Sequence, residues 1–220
     1  MVEKRKLSAF HIVVYLIVFF TVWSIRELII RPIWLNQFDG LTWYILESSM
    51  KLLVWTVPAI LLINYFQDDM WVSLKEIFTN KPRWFKSAPI LLLVFYPLGS
   101  ALFVHGEIAI RPDFAPLSLI QAVVFAGITE DIVFRGFLLN AMLKRMKAWQ
   151  AVAIDAVLFA LIHYPIWIYW GFDFATILVS SVTVLPISVL FAFSFIKTKN
   201  ILVPIILHML WNLLTVLFVV

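Results

Sequence analysis

Leu117 to Met146 reads LSLIQAVVFAGITEDIVFRGFLLNAMLKRM. Apart from its basic tail it is apolar, and it is long enough to cross a bilayer, which takes roughly 20 helical residues. Three charges, Glu130, Asp131 and Arg135, stand in its middle. A charged side chain deep in lipid costs at least about 2.5–3.5 kcal/mol, so it marks function or compensation. Asp131 and Arg135 are four apart. They share a helix face and can pair. Glu130 is five residues before Arg135 and lies on the face of Phe134 instead. That leaves Glu130 the acid without a local partner, and so the one available for chemistry.

The rest of the chain is of the same kind. Its 220 residues are 63% hydrophobic and 14% charged, with a mean hydropathy of +0.98. Soluble domains are about 45–50% apolar and about 25% charged. The composition predicts an all-α fold, a polytopic transmembrane helix bundle. It forms a single integral membrane domain over residues 1–220, with the motif-bearing core in 117–220. Cysteine is absent. This excludes disulfides, a thiol nucleophile and a Cys-ligated metal. The net charge of +4 falls in short loops between apolar runs, which is membrane topology rather than nucleic-acid binding. The expected partner is membrane lipid, with no nucleic acid; the oligomeric state is left open.

Seven segments are long enough to span: Phe10–Ile30, Leu41–Phe66, Ala88–Val104, Leu117–Met146, Ala148–Trp170, Phe174–Ile196 and Ile201–Val220. A break at Pro58 would add an eighth crossing, but the unbroken reading is preferred. Arg26 and Glu27 are expected at the far interface. With the basic N-terminus inside, twelve Lys and Arg fall on inner flanks. Three, Arg26, Arg31 and Arg111, fall on outer ones. That bias orients the bundle with the N-terminus cytoplasmic and the C-terminus outside. The expected location is a cell membrane. Tryptophans and tyrosines at the segment ends suffice as an interfacial belt.

Two further spans carry polar pairs at helical spacing. Phe159 and His163 are four apart, as are His208 and Asn212. From the turn near Lys147, Glu130 is 17 residues back and His163 is 16 forward. These are matching heights in an antiparallel hairpin, roughly 25 Å from the turn at 1.5 Å per residue. After allowing for a protruding inner end, they sit about 10 Å inside the cytoplasmic boundary, with His208 about 12 Å in. The same counting moves Asp155 to the inner interface. Glu47 and Lys51, four apart, are expected to neutralise each other. His11 and His105 lie near interfaces and are given no role.

These residues resemble the CAAX protease and bacteriocin-processing family of intramembrane proteases, also called the Abi family. The chain supplies Glu130-Asp131-x-x-x-Arg135-Gly136, Phe159-x-x-x-His163 and His208-x-x-x-Asn212 in the family's order. It departs at Asp131, where the family usually has a second Glu. The resemblance implies peptide-bond hydrolysis within or near the membrane, with a peptide or membrane-protein substrate as the expected partner. On that basis Glu130 activates a water and His163 helps hold it. His208 and Asn212 stabilise the oxyanion, while Asp131, Arg135 and Phe159 support. No cofactor is favoured, although zinc is possible with Glu130, His163 and His208 as ligands. Using Glu130 as a ligand removes the general base, and an amide such as Asn212 serves an oxyanion better than a zinc ion. The competing readings are a proton-coupled transporter, and a catalytically silent membrane regulator of the same family.

The charge bias predicts where a reporter active only outside the membrane gives signal. Fusions at Asp68–Ser87, Lys144–Lys147 and Lys197–Asn200 are expected to be silent. A fusion at the C-terminus is expected to be active. Strong signal at Asp68–Ser87 overturns the orientation.

Overall fold

The computed structural model of the chain describes residues 6–38, 40–82, 95–112 and 114–218. Every regular element among the described residues is helical: α1 Ala9–Gln37, α2 Gly40–Tyr65, α3 Leu74–Thr79, α4 Tyr96–His105, α5 over 119–143, α6 Ala148–Tyr169, α7 Phe174–Thr198 and α8 Leu202–Phe218. Four of them, α1, α2, α6 and α7, are long and apolar enough to cross a membrane by length and composition alone. α5 has the length but carries the three charges, and α8 is shorter, at 17 residues. Most of the expected first half of the third span, residues 88–94, lies outside the described residues. So do Lys4, Arg5, Arg83 and Lys86.

Several rods widen into π-helical turns, at Arg26–Ile30, Leu52–Thr56, Leu119–Phe125 and Ile132–Leu139. Two of these have a plain cause, since each runs into an X-Pro step, Arg31-Pro32 or Val57-Pro58. Proline has no N–H and crowds the carbonyl four residues back. Wide bonds from Arg31 N–H to Arg26 O and from Val57 N–H to Leu52 O carry the helix across. α2 is therefore continuous through Pro58, and no eighth crossing arises from a break there. The wide turns also adjoin Arg26, Glu27, Lys51 and Asp131. Such turns concentrate at functional sites because they re-aim side chains.

One end of the bundle is tied together by polar contacts. Asp69 accepts from Leu7 N–H at 2.8 Å, and Arg145 donates to the carbonyls of Leu7 and Asp69. Asn140 makes a reciprocal pair with the backbone of Val72. Ile201 N–H donates to Ile77 O, and Asn80 donates to Lys199 O. The N-terminal residues, the 67–82 segment, the α5–α6 turn and the α7–α8 turn thus meet at one end. They bring Lys75, Lys81, Lys144, Arg145, Lys147, Lys197 and Lys199 together. At the other end, Arg111 N–H donates to Leu217 O, seating the chain before α5 against the end of α8.

α5 is the central rod. Val133, Phe134, Leu138 and Leu139 are fully buried, packed among α1, α2, α6 and α7. It approaches α8 most closely at Gly127, where an added Cβ would stand 2.7 Å from Met209 Cγ and 3.4 Å from Ile205 O. A larger residue there must push α8 away. Overpacking of this kind typically costs about 1–3 kcal/mol. Gly127→Val is expected to lower the thermal midpoint of the detergent-solubilised protein, and Met209→Ala on the same chain to recover part of the loss. An unchanged midpoint in Gly127→Val contradicts the close approach.

Candidate active site

The other two motif-bearing helices, α6 and α8, converge on α5. Glu130 is nearly buried, and its Oε1 lies 3.0 Å from the Lys51 ammonium. Its other oxygen is 3.9 Å from His208 Nε2, too far for a direct hydrogen bond but close enough for one water set to the side of the pair to reach both. His208 points its second nitrogen, Nδ1, at Asp131 Oδ2, 2.9 Å away. An ionised carboxylate only accepts, so Nδ1 carries the proton, and Nε2 faces Glu130.

His163 sits where α6 breaks, between the segment ending at Leu161 and the one starting at Tyr164. Its Nδ1 donates to the carbonyl of Phe159 at 2.8 Å, because that oxygen can only accept. This fixes the tautomer of the neutral ring and leaves Nε2 as an acceptor. Phe159 is the hub of the aromatic packing. Its ring centroid lies 5.2 Å from that of His163, 5.7 Å from His208 and 5.1 Å from Phe134, and the Arg135 guanidinium stacks 4.3 Å from it. Asn212 spends one amide N–H on Ala122 O at 2.8 Å, leaving a second donor. Glu130, His163 and Asn212 all line one cavity of about 430 Å³. His163, His208 and Asn212 also line a small adjoining void of about 60 Å³.

Beneath this layer Arg135 is fully buried. It meets Asp131 at 3.3 Å and Asp155 at 3.5 Å, and donates to the hydroxyl and the carbonyl of Ser188. The Asp131–Arg135 pair is therefore present, but shared. Asp155, expected at the inner interface, does not face out of the protein; it is fully buried against Arg135. The helix rise counted from Lys147 ignored how α6 packs across α5.

Two further expectations are corrected. Lys51 does not neutralise Glu47; it pairs with Glu130, so Glu130 does have a partner. Glu47 is taken instead by Arg26 and Arg31. Arg26 and Glu27, expected at the far interface, face neither solvent nor lipid. They are buried, at 1% and 2% exposure, and Arg26 contacts both Glu27 and Glu47. Lys51 and this four-residue cluster are the functional neighbourhood that sequence reasoning missed. A lysine and four further charges inside apolar runs were the available signal, while Ser188 gave none.

The donor set does not suit zinc. Among the described residues no three His, Asp or Glu side chains converge into a group that could hold a metal ion. Of the trio Glu130, His163 and His208, the glutamate has one oxygen on the Lys51 ammonium, whose charge repels a metal cation at the other.

Residues 112–214 match the family model described as type II CAAX prenyl endopeptidase Rce1-like. This segment is similar to that family. The Rce1-like segment contains Glu130, Asp131, Arg135, Phe159, His163, His208 and Asn212, whereas Lys51 and the Arg26 cluster lie outside it. Similarity to a family of proteases supports hydrolase activity, and the apolar helices support a membrane protein. No curated protein and no solved structure matches the chain.

Arg135 holds two carboxylates and Ser188 at once through a planar fork that a lysine cannot reproduce. Removing the cation from a buried pair costs about 3–5 kcal/mol. Arg135→Met is expected to lose most folded protein, as read by size-exclusion of a fluorescent fusion. Arg135→Lys is expected to recover only a minor part. Full recovery by lysine contradicts the shared-fork geometry.

Proposed function

We propose that the chain is an intramembrane endopeptidase, hydrolysing peptide bonds of membrane-associated proteins or peptides with a water activated by Glu130. The observation that carries this reading is the division of Glu130's two oxygens. Oε1 is held by Lys51, while Oε2 faces His208 Nε2 across a 3.9 Å gap beside the cavity. A water set to the side of that pair can give its proton to Oε2 as its oxygen bonds to the scissile carbonyl carbon. The His163 Nε2 lone pair orients the same water. The tetrahedral oxyanion then takes the free amide N–H of Asn212 and the Nε2–H of His208, which enters the cycle as an imidazolium protonated from solvent and keeps that proton throughout. Asp131 holds that imidazolium through Nδ1. On collapse the carbon–nitrogen bond breaks, and Glu130 passes its proton to the leaving amine. Loss of one oxyanion donor costs about 10²–10³ in rate, and loss of a general base about 10²–10⁴.

Lys51 sets a condition on testing this. Glu130→Gln alone leaves a buried ammonium without its partner, so instability and lost chemistry would be confounded. The test is cleavage of a membrane-anchored peptide library by purified protein, alongside its thermal midpoint. Glu130→Gln is expected to lose both activity, by at least about 10²-fold, and stability. Glu130→Gln combined with Lys51→Met is expected to regain the midpoint and remain inactive. Cleavage by that double variant overturns the role of Glu130. Substrate flux in liposomes without cleavage would favour a transporter, and binding without cleavage a silent regulator.

A further inference from the structure

We infer that the Glu130 site is entered from the end of the bundle opposite the basic connections, and that its substrate is a peptide segment presented at the outer face of the membrane. The part concerning the substrate rests on the endopeptidase reading; the direction of entry does not.

The cavity wall gives the direction. Besides Glu130 and His163, it is lined by Arg31 near the end of α1, Gln121 in the first turn of α5, Trp170 just past α6, and Thr215 and Val216 in the last turn of α8. Each of these positions lies at the end where Arg111 meets Leu217. None of the residues that tie the basic end together lines it. Counting along the chain had put the site nearer the basic end, about 10 Å inside. The cavity reaches Glu130 from the other side.

The path from the basic end is closed. One turn beyond Glu130, the Phe134 ring packs against Phe19, Trp55 and Phe159, with centroids 6.2, 6.3 and 5.1 Å away. Phe137, Leu138 and Leu139 continue the plug with at most 1% exposure. Water and an extended peptide need room that this layer does not leave. On the open side, Gln121, Thr215, Asn212 and Arg31 can hydrate the passage.

Orientation follows from the charge bias. Eight described Lys and Arg, Lys6 among them, gather at the closed end, and that end is the cytoplasmic one by the positive-inside rule. The mouth then faces outside. A substrate entering there passes Trp23, Trp55, Trp167 and Trp170. It also passes a cluster of two arginines and two glutamates whose formal charges cancel. That lining suits an uncharged, apolar segment on the outer side of a membrane anchor.

The absence of cysteine makes the direction measurable on the full-length chain in intact cells. Single cysteines are placed at the mouth, Gln121→Cys and Thr215→Cys, and at the basic end, Thr79→Cys, which is exposed. Each is treated with a membrane-impermeant maleimide before and after permeabilisation. The mouth cysteines are expected to react in intact cells, and Thr79→Cys only after permeabilisation. The reverse pattern, or mouth cysteines that stay unlabelled in both conditions, overturns the inference. Labelling needs no turnover, so it is independent of the protease reading. A paired reporter, one apolar peptide anchored to face outside or inside, is expected to be cut only when outside. Cutting only of the inside form overturns the proposed substrate. No cutting of either form, with the mouth labelled, removes the protease reading and the substrate with it, and leaves the direction of entry standing.

Discussion

A carboxylate cannot be buried in a membrane protein alone, and the arrangement of these helices follows from that constraint. Five acids, Glu27, Glu47, Glu130, Asp131 and Asp155, are buried among the described residues. Each lies within 4 Å of a cation or an imidazole drawn from another position in the bundle. Apolar packing against lipid distinguishes poorly between one helix register and the next, because lipid tails are as apolar as leucine. Directional pairs do distinguish. Lys51 fixes α2 against α5, Arg135 fixes α5 against α6 and α7, and His208 fixes α8 against α5. The desolvation cost of such groups is high, so the arrangement is better explained by the site it positions than by stability.

The parts of this arrangement that were legible in the sequence are those set within one helix. Asp131 and Arg135 share a face at any depth, and the polar pairs on α6 and α8 announce themselves against an apolar background. Pairing between helices was not legible. Lys51 lies one turn after Glu47, and local spacing favoured joining them. The outcome was decided by Arg26, which α1 brings to Glu47, so that Lys51 is left to Glu130. Nothing in a periodicity contains that crossing. Asp155 failed for a related reason, since a count of helical rise gives height along an axis but not which neighbour stands beside it. The π turns before Pro32 and Pro58 shift faces by a residue, and ideal helical spacing cannot anticipate that shift.

The division of the chain follows the same lines. The Rce1-like segment supplies the acid, the two histidines and the amide. The helices before it supply the lysine that holds Glu130 and the charged cluster lining the cavity beyond it. A polar layer of this kind is buried under aromatic packing on one side and open through a cavity on the other. It concentrates its unpaired donors and acceptors where a peptide carbonyl can reach them: Glu130 Oε2, His163 Nε2, His208 Nε2 and the second amide N–H of Asn212.

The central claim is that a carboxylate braced by a lysine, and not a metal ion, activates the water. Elemental analysis of the purified protein in its most active form tests it most directly, paired with chelator treatment and metal add-back. The account predicts metal well below one equivalent per chain and activity indifferent to the chelator. Near-stoichiometric zinc, with activity lost to the chelator and restored by zinc alone, would contradict it.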